Sequence, residues 1–324
     1  MKFRRRHFVR LAAGCAAFPV VSRIASAQTY PLRRVRLLEG FGPGSTPDIV
    51  ARLIGQWLSD RLGQPFVIEN RTGTSGNIAT EAVVNARPDG YTLLTVTTAN
   101  AISAAFYEKL NFDFTRDIDP VASAMRAPFV MEVNPSVPAT TVTQFIAFAK
   151  ANPGRINMAS AGNGSGTHVA GELFKMMTGV DMFHVPYRGA TVLADLVGGQ
   201  VQVYFGPLPS SIELISAGKL RALAVTTTMR SQMLPDTPAL GEFVPGYEAS
   251  NWFGIGAPRN TPLEIVDKLN KEINAALADP GIKAQFAGLG GSVLPGSRAD
   301  FAKLIADETE KWARLIRTAR LKAE

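Results

Sequence analysis

Cysteine is almost missing from this chain: 324 residues contain one, Cys15, beside three histidines, and charged residues make up only 19%. A disulfide scaffold is therefore excluded, and so is a collagen-like or disordered composition, because 46% of the residues are apolar. The formal charge of +7 suggests an acidic partner. Six of the positives, Lys2, Arg4, Arg5, Arg6, Arg10 and Arg23, lie in residues 1–27, which hold no acid. The remainder is close to neutral, and nucleic acid loses its main electrostatic support as a partner. Beyond the front end, no stretch approaches the roughly 18–20 continuous apolar residues of a membrane span.

What the front end does contain is an export pattern. Arginines precede the weakly apolar run Leu11 to Val21, and Ala25-Ser-Ala27 offers the small side chains a signal peptidase prefers. Cleavage is expected before Gln28, with residues 1–27 as the signal peptide. Arg5-Arg6-His7-Phe8 follows the twin-arginine pattern, although Arg4 stands where Ser or Thr is usual. Leu11-Ala-Ala-Gly-Cys15 invites a lipoprotein reading, but its leucine sits one place too early. Removal of 1–27 leaves no cysteine, so thiolate metal sites and cysteine nucleophiles vanish together.

In the mature chain, strands and helices alternate. Val35 to Phe41 reads as a buried strand breaking into Gly40-x-Gly42-x-Gly44. A helix then carries Ile49, Leu53 and Trp57 at helical spacing, with Thr46 as its expected cap, Pro47 in its first turn and Gly63 at its end. Phe66 to Glu69, a helix from about Asn77 and the strand Tyr91 to Val96 repeat the unit. The middle third repeats it again: helix Val142 to Ala151, extended Ile156 to Met158, helix His168 to Met177, strand Met182 to Val185, helix Thr191 to Val197, strand Val201 to Phe205. Such alternation implies right-handed βαβ units. Three helical stretches, Pro262 to Leu277, Pro280 to Ala287 and Arg298 to Arg320, form a tail expected to return and cover the first domain. Phe129 to Val133 and Trp252 to Ala257 are the expected crossing strands.

Four loops share glycine with short hydroxyl or amide residues, each just before a helix: Gly42 to Thr46, Thr72 to Asn77, Asn163 to Thr167 and Gly189 to Thr191. A helix start presents unpaired N–H groups and a positive partial charge, and glycine lets an anion approach the backbone. Any one such loop is an ordinary cap; their recurrence in both halves points to an anion held between them. A bulkier residue at Gly44 or Gly166 is expected to weaken binding and leave the fold intact. Asp48 is assigned a structural role, accepting N–H bonds in the first turn of its helix.

Enzyme motifs are mostly absent. The third glycine of the dinucleotide fingerprint is missing from both glycine runs, no Gly-Lys-Ser/Thr phosphate loop occurs, and neither Ser75 nor Ser165 completes G-x-S-x-G. His168 and His184 lie sixteen residues apart with no acid pattern beside them, which disfavours a metal site. No catalytic residue, metal or cofactor is expected. His168, at a helix start after a glycine loop, is placed near ligand, and His184, inside a strand, in the core. Arg188 is a candidate for bidentate grip on a carboxylate.

The chain resembles the periplasmic receptors of tripartite tricarboxylate transporters, the Bug-type solute-binding proteins. The residues carrying the likeness include Phe41-Gly-Pro-Gly-Ser-Thr-Pro-Asp48, Glu69-Asn-Arg71, Gly76-Asn-Ile78, Pro88-Asp-Gly-Tyr-Thr-Leu93, Ser160-Ala-Gly-Asn-Gly164, His184-Val-Pro-Tyr-Arg-Gly189 and Ala217-Gly-Lys-Leu-Arg221. The resemblance implies an α/β, two-lobed periplasmic binding protein fold, type II-like, with two mostly parallel sheets flanked by helices and joined by two crossing strands. Lobe 1 is expected over 28–128 plus 254–324 and lobe 2 over 129–253. It also implies a monomeric receptor in the periplasm that delivers a small carboxylate to the membrane components of such a transporter.

By similarity the ligand contacts fall on Phe41, Gly42, Gly44, Ser45, Thr46, Asn77, Thr97 and Ala99 in the first lobe. Asn163, Gly164, Ser165, Gly166, Thr167, His168, Tyr187, Arg188, Gly189 and Ala190 supply those of the second. Gly44-Ser45 stands where paired glycines are usual and Gly206 where an aspartate is common, so the solute's distal end differs from the family norm. A sensory receptor sharing this pocket and a hydrolase or lyase on the same scaffold are the competing readings.

Overall fold

The computed structural model describes residues 30–107, 109–187 and 191–322. The expected signal peptide with its cleavage before Gln28, and the candidate contacts Arg188, Gly189 and Ala190, lie outside the described residues.

The first three strand–helix units are β1 (Val35–Glu39) with α1 (Thr46–Leu62), β2 (Phe66–Asn70) with α2 (Asn77–Val84), and β3 (Thr92–Thr97) with α3 (Thr98–Phe106). Next come α4 (Phe114–Asp117), the long β4 (Ile118–Val133) and α5 (Val142–Ala151). Three further units follow: β5 (Asn157–Ser160) with α6 (Gly166–Thr178), β6 (Phe183–Pro186) with α7 (Val192–Val197), and β7 (Val203–Pro207) with α8 (Leu208–Ser216). The chain closes with β8 (Arg221–Val225), β9 (Ser250–Pro258), α9 (Leu263–Ala278), α10 (Pro280–Gly288), β10 (Ser292–Val293) and α11 (Arg298–Ala319).

Local chemistry sets these boundaries. Ser45, not Thr46, is the cap residue of α1: it is extended, at φ −68° and ψ 157°, while Thr46 is already helical. At α5 the Thr141 hydroxyl accepts from Gln144 N–H at 3.2 Å, satisfying one of the donors a helix start leaves open.

Each half is built on three parallel strands, β2-β1-β3 in one and β6-β5-β7 in the other. β4 joins them. Its residues from Ile118 to Pro128 pair with β9, and those from Phe129 to Val133 pair with β7 on one side and β8 on the other, all antiparallel. The halves are therefore mixed rather than mostly parallel, because strands that pass between them arrive running against the local units. β4 also reaches further back than the expected crossing strand Phe129 to Val133, and the tail adds a short strand, β10, against Met125 and Arg126 of β4.

Thr226 fastens the crossing. Its buried hydroxyl accepts from Phe129 N–H at 2.8 Å and donates to Phe129 C=O at 3.0 Å. The tail covers more than the first half. α9 packs on α1 and β4, whereas α11 lies on α3, β4 and α6 and so touches both halves. One continuous apolar core runs from Leu38, Val96 and Ile102 past Trp252 and Trp312 to Phe174 and Phe205. Within it Glu308 Oε2 accepts from the indole N–H of Trp252 at 3.2 Å and of Trp312 at 2.9 Å, so neither buried donor is left unpaired.

Candidate functional site

Six helices, α1, α2 and α3 in one half and α6, α7 and α8 in the other, begin just beyond the C-terminal ends of parallel-side strands. Open α/β sheets place ligands at such ends.

In the first half, β1 and the loop after β2 meet at glycine. A Cβ on Gly40 would lie 2.5 Å from Gly76 Cα, so the two backbones can approach this closely only because Gly40 has no side chain. The Phe41 ring lies against Gly76, and Asn77 opens α2 beside them. Two acids organise the loop from below. Fully buried Glu39 accepts from Phe41 N–H at 2.8 Å and from the Asn70 amide at 3.2 Å, and burial pushes its carboxyl up to about 7. Burial also raises Asp48, but the Arg52 guanidinium, Gly44 N–H and Asn70 amide outweigh it and hold that carboxyl below its usual range. The structural role expected for Asp48 is what its contacts show.

Several amides expected to face ligand are thus already engaged. Phe41 N–H serves Glu39, Gly44 N–H serves Asp48 at 2.9 Å, and Ser45 N–H reaches Gly42 C=O at 3.2 Å. Thr97 N–H goes to Asn100 Oδ1 at 2.8 Å. What is left unused among the candidate contacts here is more restricted: the N–H groups of Gly42, Thr46 and Ala99, the buried Ser45 Oγ and both polar atoms of the buried Asn77 side chain. A buried polar atom without a partner costs about 1–3 kcal/mol. A polar ligand group gains most by meeting such atoms.

The second half repeats the arrangement. Gly164 N–H donates to His168 Nδ1 at 3.1 Å, Ser165 N–H to Gly162 C=O at 3.1 Å, and Ala161 N–H to Thr167 Oγ1 at 2.8 Å. Ser165 Oγ caps α6 by accepting from His168 N–H at 3.2 Å. Asn163 lies half-buried in the same loop. Gly166 and Thr167 N–H, in the first turn of α6, find no acceptor among the described residues.

The histidines are brought together rather than separated. The rings of His168 and His184 stack with centroids 3.9 Å apart, and His184 Nε2 lies 2.6 Å from Ser160 Oγ. Burial pulls His168 down to about 3, helped by His184 and Lys175, and pulls His184 down to about 4, helped by Lys175. Both are neutral at pH 7. His168 acts through the loop, as acceptor for Gly164, so an anion would meet it as a neutral ring and not as a cation. Tyr187 hands its hydroxyl to Asp195 at 2.8 Å, leaving its backbone, beside Gly162, as the part that borders the loop.

Phe106 was not singled out by sequence, and no motif marks it. At the end of α3 it meets the other half: a Cβ on Gly164 would sit 2.7 Å from its ring, whose centroid is 6.5 Å from that of His168. The expectation that Gly44 and Gly166 tolerate bulk also changes. Gly44 has φ +82°, which strains any L residue, and a Cβ on Gly166 would fall 2.8 Å from the Phe129 ring. Gly42 faces open space, with nothing within 4 Å of a Cβ.

Comparison with known proteins agrees with this geometry. The sequence model described as tripartite tricarboxylate transporter family receptor, TctC, matches residues 50–321. The chain is 34% identical to Protein BugT of Bordetella pertussis over 96% of this chain and 98% of that one. Among solved structures it is similar to R. palustris Rpa4515 with adipate, at 38% identity and TM-score 0.81, covering 90% of this chain and 99% of the other. It is also similar to MatC (Rpa3494) from Rhodopseudomonas palustris with bound malate, at 30% identity and TM-score 0.77, covering 89% and 100%.

Proposed function

This chain belongs to the tripartite tricarboxylate transporter receptor family, and from that premise we propose that it is an exported periplasmic receptor. It captures a small carboxylate between two lobes, returns it chemically unchanged and delivers it to the membrane components of a transporter of that type. The lobes are 28–128 with 254–324, and 129–253, with α11 bearing on both.

The observation that carries the reading is the set of unused donors at strand ends in both halves: Gly42, Thr46 and Ala99 N–H, Ser45 Oγ and Asn77 Nδ2 in one, Gly166 and Thr167 N–H in the other. All are neutral. A carboxylate held by them needs no buried ion pair, so it can be released again. Adipate and malate, named for two structural neighbours, set the size and charge of the solute class. Ligand favours closure only through contacts that the open form lacks. Phe106, reaching from α3 to Gly164 and His168, is a contact between the halves beside these donors.

A thermal-shift and calorimetric screen of adipate, malate, aromatic acids and acidic amino acids tests the reading. A true ligand at a hundredfold excess over its Kd stabilises the native state by about 2.7 kcal/mol. Gly42→Val, which projects a side chain into open space, should weaken that ligand at least about tenfold, the scale of one lost hydrogen bond to a charged group, without lowering Tm. If only cations or uncharged sugars shift the midpoint, the carboxylate assignment is wrong.

A further inference from the structure

We infer that the chain carries a second anion-binding site, apart from the glycine loops, where β4 passes from one half to the other. A groove of about 450 Å³ opens there, walled by Arg126 and Pro128 of β4, the segment 227–233 that follows β8, Lys283 of α10, and Gly290 and Gly291 before β10. That volume lies in the range of roughly 300–1,000 Å³ that small-molecule sites occupy. None of the candidate cleft residues lines it.

Cationic side chains outnumber acids in the groove. Glu248 is the one acid among the lining residues, against Arg126, Arg230 and Lys283. It is already engaged, since Oε1 accepts from Ser250 Oγ at 2.7 Å and Oε2 pairs with Lys311 Nζ at 2.9 Å. Arg126 makes no hydrogen bond to it: Nη1 stops 4.0 Å from Glu248 Oε1, at ion-pair but not hydrogen-bond distance, and Nε is buried without a partner among the described residues. Arg230 is tied to Glu242 at 3.1 Å and shapes the rim. A guanidinium fork with unused donors, beside an exposed lysine, suits a compact oxyanion of more than one charge, either a carboxylate or a phosphate.

The position gives the site a consequence. One wall follows β8, the strand paired with the later part of β4, and the other is α10 with β10, of which β10 pairs with the earlier part. An anion bridging these walls holds the two halves in one relative orientation. A cleft ligand that favours the same orientation would be coupled to it, equally in both directions.

Calorimetric titration of the mature chain with citrate and with inorganic phosphate tests the site and separates the two chemistries. One of the two probes should bind wild type and the cleft variant Gly42→Val with the same affinity. Arg126→Gln and Lys283→Gln should each lose about tenfold or more, the scale of a charge-assisted hydrogen bond. Because Lys283 is exposed on α10, its variant keeps the test open should Arg126→Gln fold poorly. The inference is overturned if both substitutions titrate like wild type, if Gly42→Val abolishes binding, or if neither probe binds beyond the effect of sodium chloride at matched ionic strength.

Discussion

Replacing Glu39 by glutamine removes an ionisable group held directly beneath the first glycine loop. The carboxyl is fully buried, Oε2 serves Phe41 N–H and the Asn70 amide, and Oε1 has no partner. Burial is the largest influence and lifts the carboxyl to about 7 against the pull of those two donors, with Asp48 adding repulsion. An unfolded glutamate titrates near about 4.3. The folded chain thus binds the proton more tightly, and the stability this supplies is full below about 4.3 and lost as pH rises through about 7. At about 1.4 kcal/mol per pH unit, the loss between about pH 5 and about pH 8 comes to about 2.5 kcal/mol. Glutamine matches the protonated acid in shape, keeps an acceptor for Phe41 and does not titrate. In urea unfolding across that range, the stability of Glu39→Gln relative to wild type should rise by about 2.5 kcal/mol. Parallel profiles would mean that the carboxylate ionises as in water and that its burial has no energetic consequence, refuting the reasoning.

The remaining predictions concern the second half and the crossing. Gly166→Val should lower Tm, unlike Gly42→Val, because overpacking of the Phe129 ring costs about 1–3 kcal/mol; an unchanged melting curve would show that the ring yields freely. Thr226→Val should cost about 1–3 kcal/mol in urea unfolding, since Phe129 N–H and C=O both lose their side-chain partner, and a neutral result would mean that water replaces the hydroxyl. The stacked histidines carry folded values of about 3 and 4, below the unfolded value near 6.5. The unfolded chain then binds more protons, and stability should fall as pH drops from about 6.5 toward those values. His184→Gln should flatten that slope, and equal slopes would remove the pair from the acid response.

Much of the architecture was readable because its signals are local. Helix α5 falls on its expected bounds, and the glycine loops 42–46, 72–77 and 163–167 each lie between a strand and a helix as anticipated. α3 and the earlier part of β4 were not readable. Thr98 to Phe106 is rich in Ala, Ser, Thr and Asn, with no breaker between it and the preceding strand. Ile118 to Pro128 holds two prolines and is interrupted by register shifts near Ala122 and Ser123, which erases any two-residue alternation. At the candidate site the loops were legible but the occupancy of their amides was not. Whether Gly44 N–H faces outward or turns to Asp48 depends on burying a carboxylate under the loop, which composition does not encode. The groove beside Arg126 is still less visible, since its walls come from four separated stretches of chain.

A single strand of sixteen residues that belongs to two sheets also has a mechanical meaning. Sliding one half past the other would shear its ladders along their whole length, whereas a twist localised near Pro128 and Phe129 disturbs only the pairs beside it. Any rotation of one half against the other that was localised there would leave most of the ladder intact, and the Thr226 hydroxyl, clasping both backbone groups of Phe129, sits at that point like a bearing.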